Sequence, residues 1–179
     1  MRSRSQADER ERQQGADMAK QSAGILMYRF INGELQVFLV HPGGPFWRNK
    51  DRGAWSIPKG ERLPDEDPLE AAKREFEEET GLAVRGDFLY LGTTKQPSGK
   101  RVDVWAIQGD CDPAQIESNT FSMEWPPGSG KRQNFPEIDK VAWVGHETAR
   151  DKLHRGQGAF VDMLLEKLGL GRKDSDDGY

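Results

Sequence analysis

The sequence predicts an α+β domain, a mixed β-sheet sandwiched between helices. Three observations lead there. Short apolar runs rich in strand-forming residues lie on both sides of one well-delimited central helix, turn-forming dipeptides separate several of those runs in pairs, and two further helical patterns close the chain.

Residues 1–21 mix arginines with Asp8, Glu9, Glu11 and Asp17 and hold almost no large apolar side chains, so they read as a flexible tail. Ala23–Phe30 and Leu35–His41 then form two strands around Asn32-Gly33, a strong short hairpin signal. Ala54–Ile57 reads as a short strand ended by Pro58. Asp67 as N-cap, Pro68 at the first helical position, Glu70 as the acid of a capping box and Gly81 as the stop predict a helix over 68–80. Its Leu69, Ala72 and Phe76 share one stripe that can pack on a sheet. Phe88–Thr94 and Val102–Gln108 flank Gln96-Pro97-Ser98-Gly99, a second hairpin. Pro113–Phe135 contains Pro126-Pro127-Gly128-Ser129-Gly130 and reads as mostly loop, long enough to act as a lid. Ile138–Val144 is a further strand. Glu147–Leu153, and the run of Ala159, Phe160, Met163, Leu164 and Leu168, have helical spacing. With a second tail at 171–179, this leaves one domain over 22–170.

Composition excludes several classes of function. The longest apolar runs, such as Val37–Val40, are far short of the roughly 20 residues a membrane span needs. No apolar h-region stands near Met1, which predicts a cytoplasmic protein. Cys111 is the single cysteine, and His41, His146 and His154 are far apart, so any metal would be held by oxygen. A net charge of -4 over 179 residues argues against dedicated nucleic-acid binding, and an anionic substrate would need a cation between it and the protein.

Glu75, Glu78 and Glu79 sit at i, i+3 and i+4, a second stripe beside the apolar one. Three like charges there repel, and more so if partly desolvated. A hard divalent cation, magnesium or manganese, would offset the repulsion; so, in part, would Arg74 paired with Glu78 at i+4. A solvated acidic face has the same spacing, and helical geometry does not choose between them.

Gly60, Glu66, Arg74, Glu75, Phe76, Glu78, Glu79, Gly81 and Leu82 occupy every defining position of a pattern that resembles the Nudix box. Average residue usage puts a chance match in such a chain on the order of 1 in 10 million. The flanking strands and the Glu137–Trp143 stretch are also similar to that family. The resemblance implies hydrolysis of nucleoside diphosphates linked to another group, with Glu75, Glu78, Glu79 and the Gly60 carbonyl as ligands of magnesium or manganese. It also implies that Glu66 and Arg74 brace the loop against the helix, and that Glu137 serves as a further metal ligand or general base, with Glu124 its competitor.

The Trp55–Gly60 run resembles members that act on highly phosphorylated substrates. Lys59 is placed to meet a phosphate, with Arg48, Lys50, Arg52, Lys131 and Arg132 adding positive potential, while Trp47, Trp125 and Phe135 offer surfaces for a base. The leading expectation is a metal-dependent pyrophosphohydrolase acting on a dinucleoside polyphosphate. The alternatives are a nucleoside triphosphate pyrophosphohydrolase, a diphosphoinositol polyphosphate hydrolase and a non-catalytic nucleotide-sensing module. Monomer and homodimer both stay open.

Overall fold

A computed structural model describes residues 21–96 and 98–171, so the two expected tails lie, apart from Gln21 and Gly171, outside the described residues. In chain order the elements are β1 (Gln21–Ile31), β2 (Glu34–Pro42), β3 (Lys59–Glu61), α1 (Pro68–Thr80), β4 (Leu89–Lys95) and β5 (Arg101–Gln108). A single 3₁₀ turn (Pro113–Gln115) follows, then β6 (Thr120–Glu124), β7 (Arg132–Pro136), β8 (Ile138–Gly145), α2 (His146–Lys152) and α3 (Gly158–Lys167).

The main sheet runs β4-β5-β1-β2-β8, with β3 beside the first residues of β1. β1 and β5 are parallel and the other pairings antiparallel, so the sheet is mixed. Asn32 (φ 52°) and Gly33 (φ 80°) make the tight turn between β1 and β2.

The alternation of strand side chains supplies two cores. Ala23, Ile25, Met27, Phe38, Val40 and Ile107 face α1, where they meet Ala71, Ala72 and Phe76. Leu26, Tyr28, Val37, Leu39, Val102, Val104 and Ala106 face the other way, towards Ala149, Leu153, Phe160, Val161 and Leu164 of the closing helices and the loop between them. The expected sandwich is therefore present. Among the described residues no helix is long and apolar enough to cross a membrane.

Several local expectations need correction. Residues 113–135 are not mostly loop: β6 and β7 form a separate antiparallel hairpin, with Phe121 opposite Phe135. Its strands pair only with each other, so little of the hairpin is buried and β7 is polar; the alternation of Phe121, Met123 and Trp125 was the signal for it. Residues 54–57 make only isolated bridges, Ser56 with Val40 and Trp55 with Leu153. The strand there lies further on, at β3. The capping box is half formed. Asp67 Oδ2 accepts the Glu70 N–H at 3.2 Å, but the Glu70 carboxylate turns away to Lys73 at 3.1 Å. The apolar stripe of α1 is also rotated slightly from the expected one, with Ala71, Ala72, Phe76 and Thr80 buried and Leu69 partly exposed.

Candidate active site

The C-terminal half of α1 and the β1–β3 pairing together position the carboxylates. β3 lies antiparallel to the start of β1, with Ala23 opposite Gly60 and Gly24 opposite Lys59, which carries the loop before α1 across the helix face. A Cβ on Gly60 would stand 2.1 Å from the Glu75 carboxyl carbon, so only glycine lets strand and carboxylate approach this closely. At the far end of α1, Gly81 (φ 76°) ends the helix, its N–H donating to the Glu77 carbonyl at 2.7 Å. A Cβ there would also meet the Glu117 carbonyl oxygen at 2.8 Å. Glycine at 81 thus serves the turn and the passage of the next segment.

That segment brings Glu137 to the helix. The Glu117 and Asn119 N–H groups donate to the Thr80 and Glu78 carbonyls (3.0 and 2.9 Å), capping two helix-end acceptors. The Glu137 N–H then donates to the Asn119 carbonyl, and the Glu137 carbonyl accepts from the Gly43 N–H, both at 2.8 Å. The Glu137 charge accordingly acts on both Glu75 and Glu79.

Arg74 is the hub of the acidic face. Its Nε and Nη2 grip the two oxygens of Glu66 at 2.9 and 3.0 Å, while its Nη1 donates to Glu75 at 2.8 Å and to Glu78 at 3.2 Å. Nη2 also donates to the Glu61 carbonyl at 3.1 Å, and Glu66 accepts the Leu63 N–H at 3.0 Å. A forked bond of this kind fixes geometry as well as charge. It ties the loop after β3 to α1 and holds the Glu66 carboxyl below its usual range. The Arg74–Glu78 pair at i+4 is also formed.

The three box carboxylates differ in setting. Glu78 is 39% exposed and Glu75 14% exposed at the side chain. Burial raises the Glu75 pKa, Glu78 adds to the rise, and Arg74 opposes it. Glu79 is the most perturbed: desolvation first, then the Glu75 charge, push it up to about 8, against the pull of Lys59. Its Oε2 is buried with no hydrogen-bond partner. Glu137 is raised as well, by burial and then by Glu78. Lys59 is lowered by burial and then by Lys100, which itself pairs with Glu61 at 3.2 Å.

Among the described residues, no three acidic, imidazole or thiol groups converge as ready metal ligands. Arg74 Nη1 instead stands between Glu75 and Glu78 and donates to both. The donor set nevertheless suits a hard divalent cation. It consists of carboxylate oxygens, one of them buried and unpartnered, and burial raises the pKa values of Glu75, Glu79 and Glu137.

The structure gathers Lys59, Gly60, Arg74, Glu75, Glu78, Glu79 and Glu137 around this point. The other expected contacts lie on two flanking segments. Trp47 packs its ring on the core facing α2 and α3, and Lys50 Nζ lies 5.0 Å above it. Arg48 is exposed in the same loop, and Arg52 pairs with Asp151 at 3.1 Å. Trp125 stands at the end of the β6–β7 hairpin, edge-on to Phe46 at 5.5 Å. Phe46 is 59% exposed and is the aromatic that residue-by-residue reading passed over; the contact with Trp125 exists only in three dimensions. Phe135 is buried beside Phe121 and presents no open ring face for a base. Lys131 and Arg132 are exposed, with Arg132 held by Ser122. Glu124, the competitor of Glu137, accepts the Gly130 N–H at 2.8 Å and closes its own turn.

Residues 20–164 match the NUDIX domain family. The chain is similar to the RNA pyrophosphohydrolase of Legionella pneumophila (strain Corby), 26% identical over 142 residues, 75% of this chain and 81% of that protein. In fold it is similar to a C. elegans Ap4A hydrolase in a binary complex, with a TM-score of 0.59 and 19% identity over 83% of this chain and 98% of the other. It is also similar to the NUDIX domain of Shewanella oneidensis NrtR complexed with ADP ribose, with a TM-score of 0.57 and 16% identity over 83% and 87%.

Proposed function

The chain belongs to the Nudix family and is a pyrophosphohydrolase, and from that premise we propose that it cleaves a pyrophosphate bond in a nucleoside diphosphate-linked substrate, foremost a dinucleoside polyphosphate. The observation that carries this reading is Glu79, a buried carboxyl with an unpartnered oxygen, crowded by Glu75 and faced by Lys59. Glu75, Glu78, Glu79 and the Gly60 carbonyl hold magnesium or manganese, and Glu137 is a further ligand or the general base. When bound, such an ion neutralises charge that builds on phosphate oxygens and makes water a better nucleophile at neutral pH.

The chain's own residues do the rest. Arg74 keeps Glu75 and Glu78 aimed and keeps the loop after β3 against the helix. Lys59, half-buried beside the acids, meets a phosphate as a point charge. Lys50 and Arg48 draw the polyanion to the 43–53 loop, where the exposed Phe46, with Trp125 edge-on to it, supplies a surface for a base. The cytoplasm, where such nucleotides occur, is the compartment that fits.

A second reading is a 5′-triphosphorylated RNA end, favoured by the similarity to the Legionella RNA pyrophosphohydrolase. The net charge of -4 works against a long RNA footprint. A panel of diadenosine tetraphosphate, ATP, a 5′-triphosphorylated oligoribonucleotide and a diphosphoinositol polyphosphate, assayed with magnesium or manganese and read by product identity, tests this. Fastest turnover of diadenosine tetraphosphate is the expected outcome. Preference for the oligoribonucleotide transfers the assignment to RNA ends, and no product from any compound, with tight nucleotide binding, makes the domain a sensor.

A further inference from the structure

His41 lies on the last turnless stretch of β2, is 1% exposed, and is not part of the acidic face. Its two ring nitrogens are both engaged. Nε2 is 2.6 Å from the Lys50 carbonyl oxygen and Nδ1 is 2.6 Å from Asp139 Oδ1 on β8. A carbonyl oxygen only accepts, so Nε2 carries a hydrogen. The short bond on the other side then needs one more hydrogen between Nδ1 and the Asp139 carboxyl, since two lone pairs would repel. The ring is locked edge-on against Trp55, with centroids 5.1 Å apart.

The surroundings show what the ring holds. The 43–53 loop is fastened at its start, where the Gly43 N–H donates to the Glu137 carbonyl, and at its end, where the Gly53 N–H donates to the Asp151 carbonyl at 3.1 Å. Near that end, Asp51 accepts from the Trp55 indole at 2.7 Å and pairs with Lys152 at 2.9 Å. Between the anchors, Trp47 and Lys50 form their cation–π pair, and the only bond from the body of the sheet to this middle, among the side-chain bonds of the described residues, is that of His41 to Lys50.

We propose that His41 is a positioning residue: by bridging the Lys50 carbonyl to Asp139, it holds the Trp47–Lys50 part of the loop at a set place relative to Glu137 and so governs substrate binding. The proposal rests on the reading of Lys50, which lies over Trp47, as a substrate contact. Glu137 itself is tied separately, through the Asn119 carbonyl and the Gly43 N–H, so loss of the bridge frees the loop and leaves Glu137 in place.

The test uses Asp139→Ala and Asp139→Asn in the full chain, because Asp139 is more exposed than His41 and its replacement does not empty the core. The asparagine amide donates its own hydrogen to Nδ1 and keeps both bonds, whereas alanine breaks the bridge. Amide hydrogen exchange over residues 47–53, measured without substrate, is expected to accelerate in Asp139→Ala and to match the unsubstituted protein in Asp139→Asn. For the substrate that the panel selects, KM is expected to rise about tenfold in Asp139→Ala, with kcat within about twofold, and to recover in Asp139→Asn. Unchanged exchange in Asp139→Ala overturns the bridge. Faster exchange with an unchanged KM, or a loss confined to kcat, overturns its role in substrate binding. If the unsubstituted protein cleaves nothing in the panel, the functional reading fails, and the exchange measurement alone still decides whether His41 holds the loop.

Discussion

The two faces of the sheet come from the same strands and have opposite chemistry. Towards α2 and α3, Phe160, Val161 and Leu164 are fully buried, and a buried amide there is satisfied at both ends: Gln157 Oε1 accepts the Ile57 N–H at 3.0 Å, and its Nε2 donates to Ser56 at 3.1 Å. Towards α1, the same kind of apolar packing around Phe76 gives way, within one turn, to carboxyls that burial forces upward and to a Glu79 oxygen with no partner. A buried polar group without a partner costs about 1–3 kcal/mol. Both faces bury apolar core, and only the second also carries buried carboxyls that cost stability. One helix thus carries apolar packing on one side and crowded carboxyls, gathered around Arg74, on the other.

Neutralising the acids one at a time has the largest expected effect. Glu78→Gln and Glu79→Gln are expected to lower turnover on the order of a thousandfold while circular dichroism and melting stay those of a folded protein. Turnover retained at saturating magnesium would remove the α1 face from the chemistry. The converse change is Phe160→Ala on the other face. It is expected to cost about 3–5 kcal/mol in denaturant unfolding and to leave kcat per folded molecule unchanged. A kcat that falls as steeply as stability would show that the faces are not separable.

A smaller effect sharpens the contrast through pH. Glu79 is raised from the ordinary 4.5 to about 8 in the folded state, so between those values the folded protein binds a proton that the unfolded chain has released. Stability of the metal-free protein is therefore expected to be highest at the acid end of that interval and to decline, by a few kcal/mol at most, as pH rises through it. Added magnesium or manganese favours the ionised carboxylates and is expected to flatten the decline. Glu79→Gln, which has no proton to lose there, should decline less without metal, the remainder belonging to the raised carboxyls of Glu75 and Glu137. A metal-free protein whose melting temperature does not change between pH 5 and about 8 would mean that Glu79 is ionised at no cost.

The legible part of this molecule is local. Asp67, Pro68 and Gly81 delimit α1 from the sequence because caps and stops act through the nearest few peptide groups. Asn32-Gly33 announces its hairpin for the same reason. The spacing of Glu75, Glu78 and Glu79 follows from helical periodicity, and the box around them carries the family. The hairpin of β6 and β7 was missed because a two-stranded ribbon with one buried phenylalanine leaves only a faint alternation in a run interrupted by Pro126-Pro127-Gly128. The half-made capping box, with Glu70 turned to Lys73, was missed because two acceptable partners compete at equal range.

Side-chain type and spacing along the chain were enough to say that this is a mixed sheet between helices with an acid-rich helix at its centre. Tertiary structure alone decided which of those acids is buried, since Glu79 and Glu78 are neighbours in sequence and differ only in which way the helix turns them relative to β3 and Lys59. It also decided that Glu137 reaches the helix while Glu124 closes its own turn, and that His41 joins two segments nearly a hundred residues apart. The reason is physical: periodicity and capping are set by neighbours along the chain, whereas desolvation and partnership depend on what the rest of the fold brings against a group.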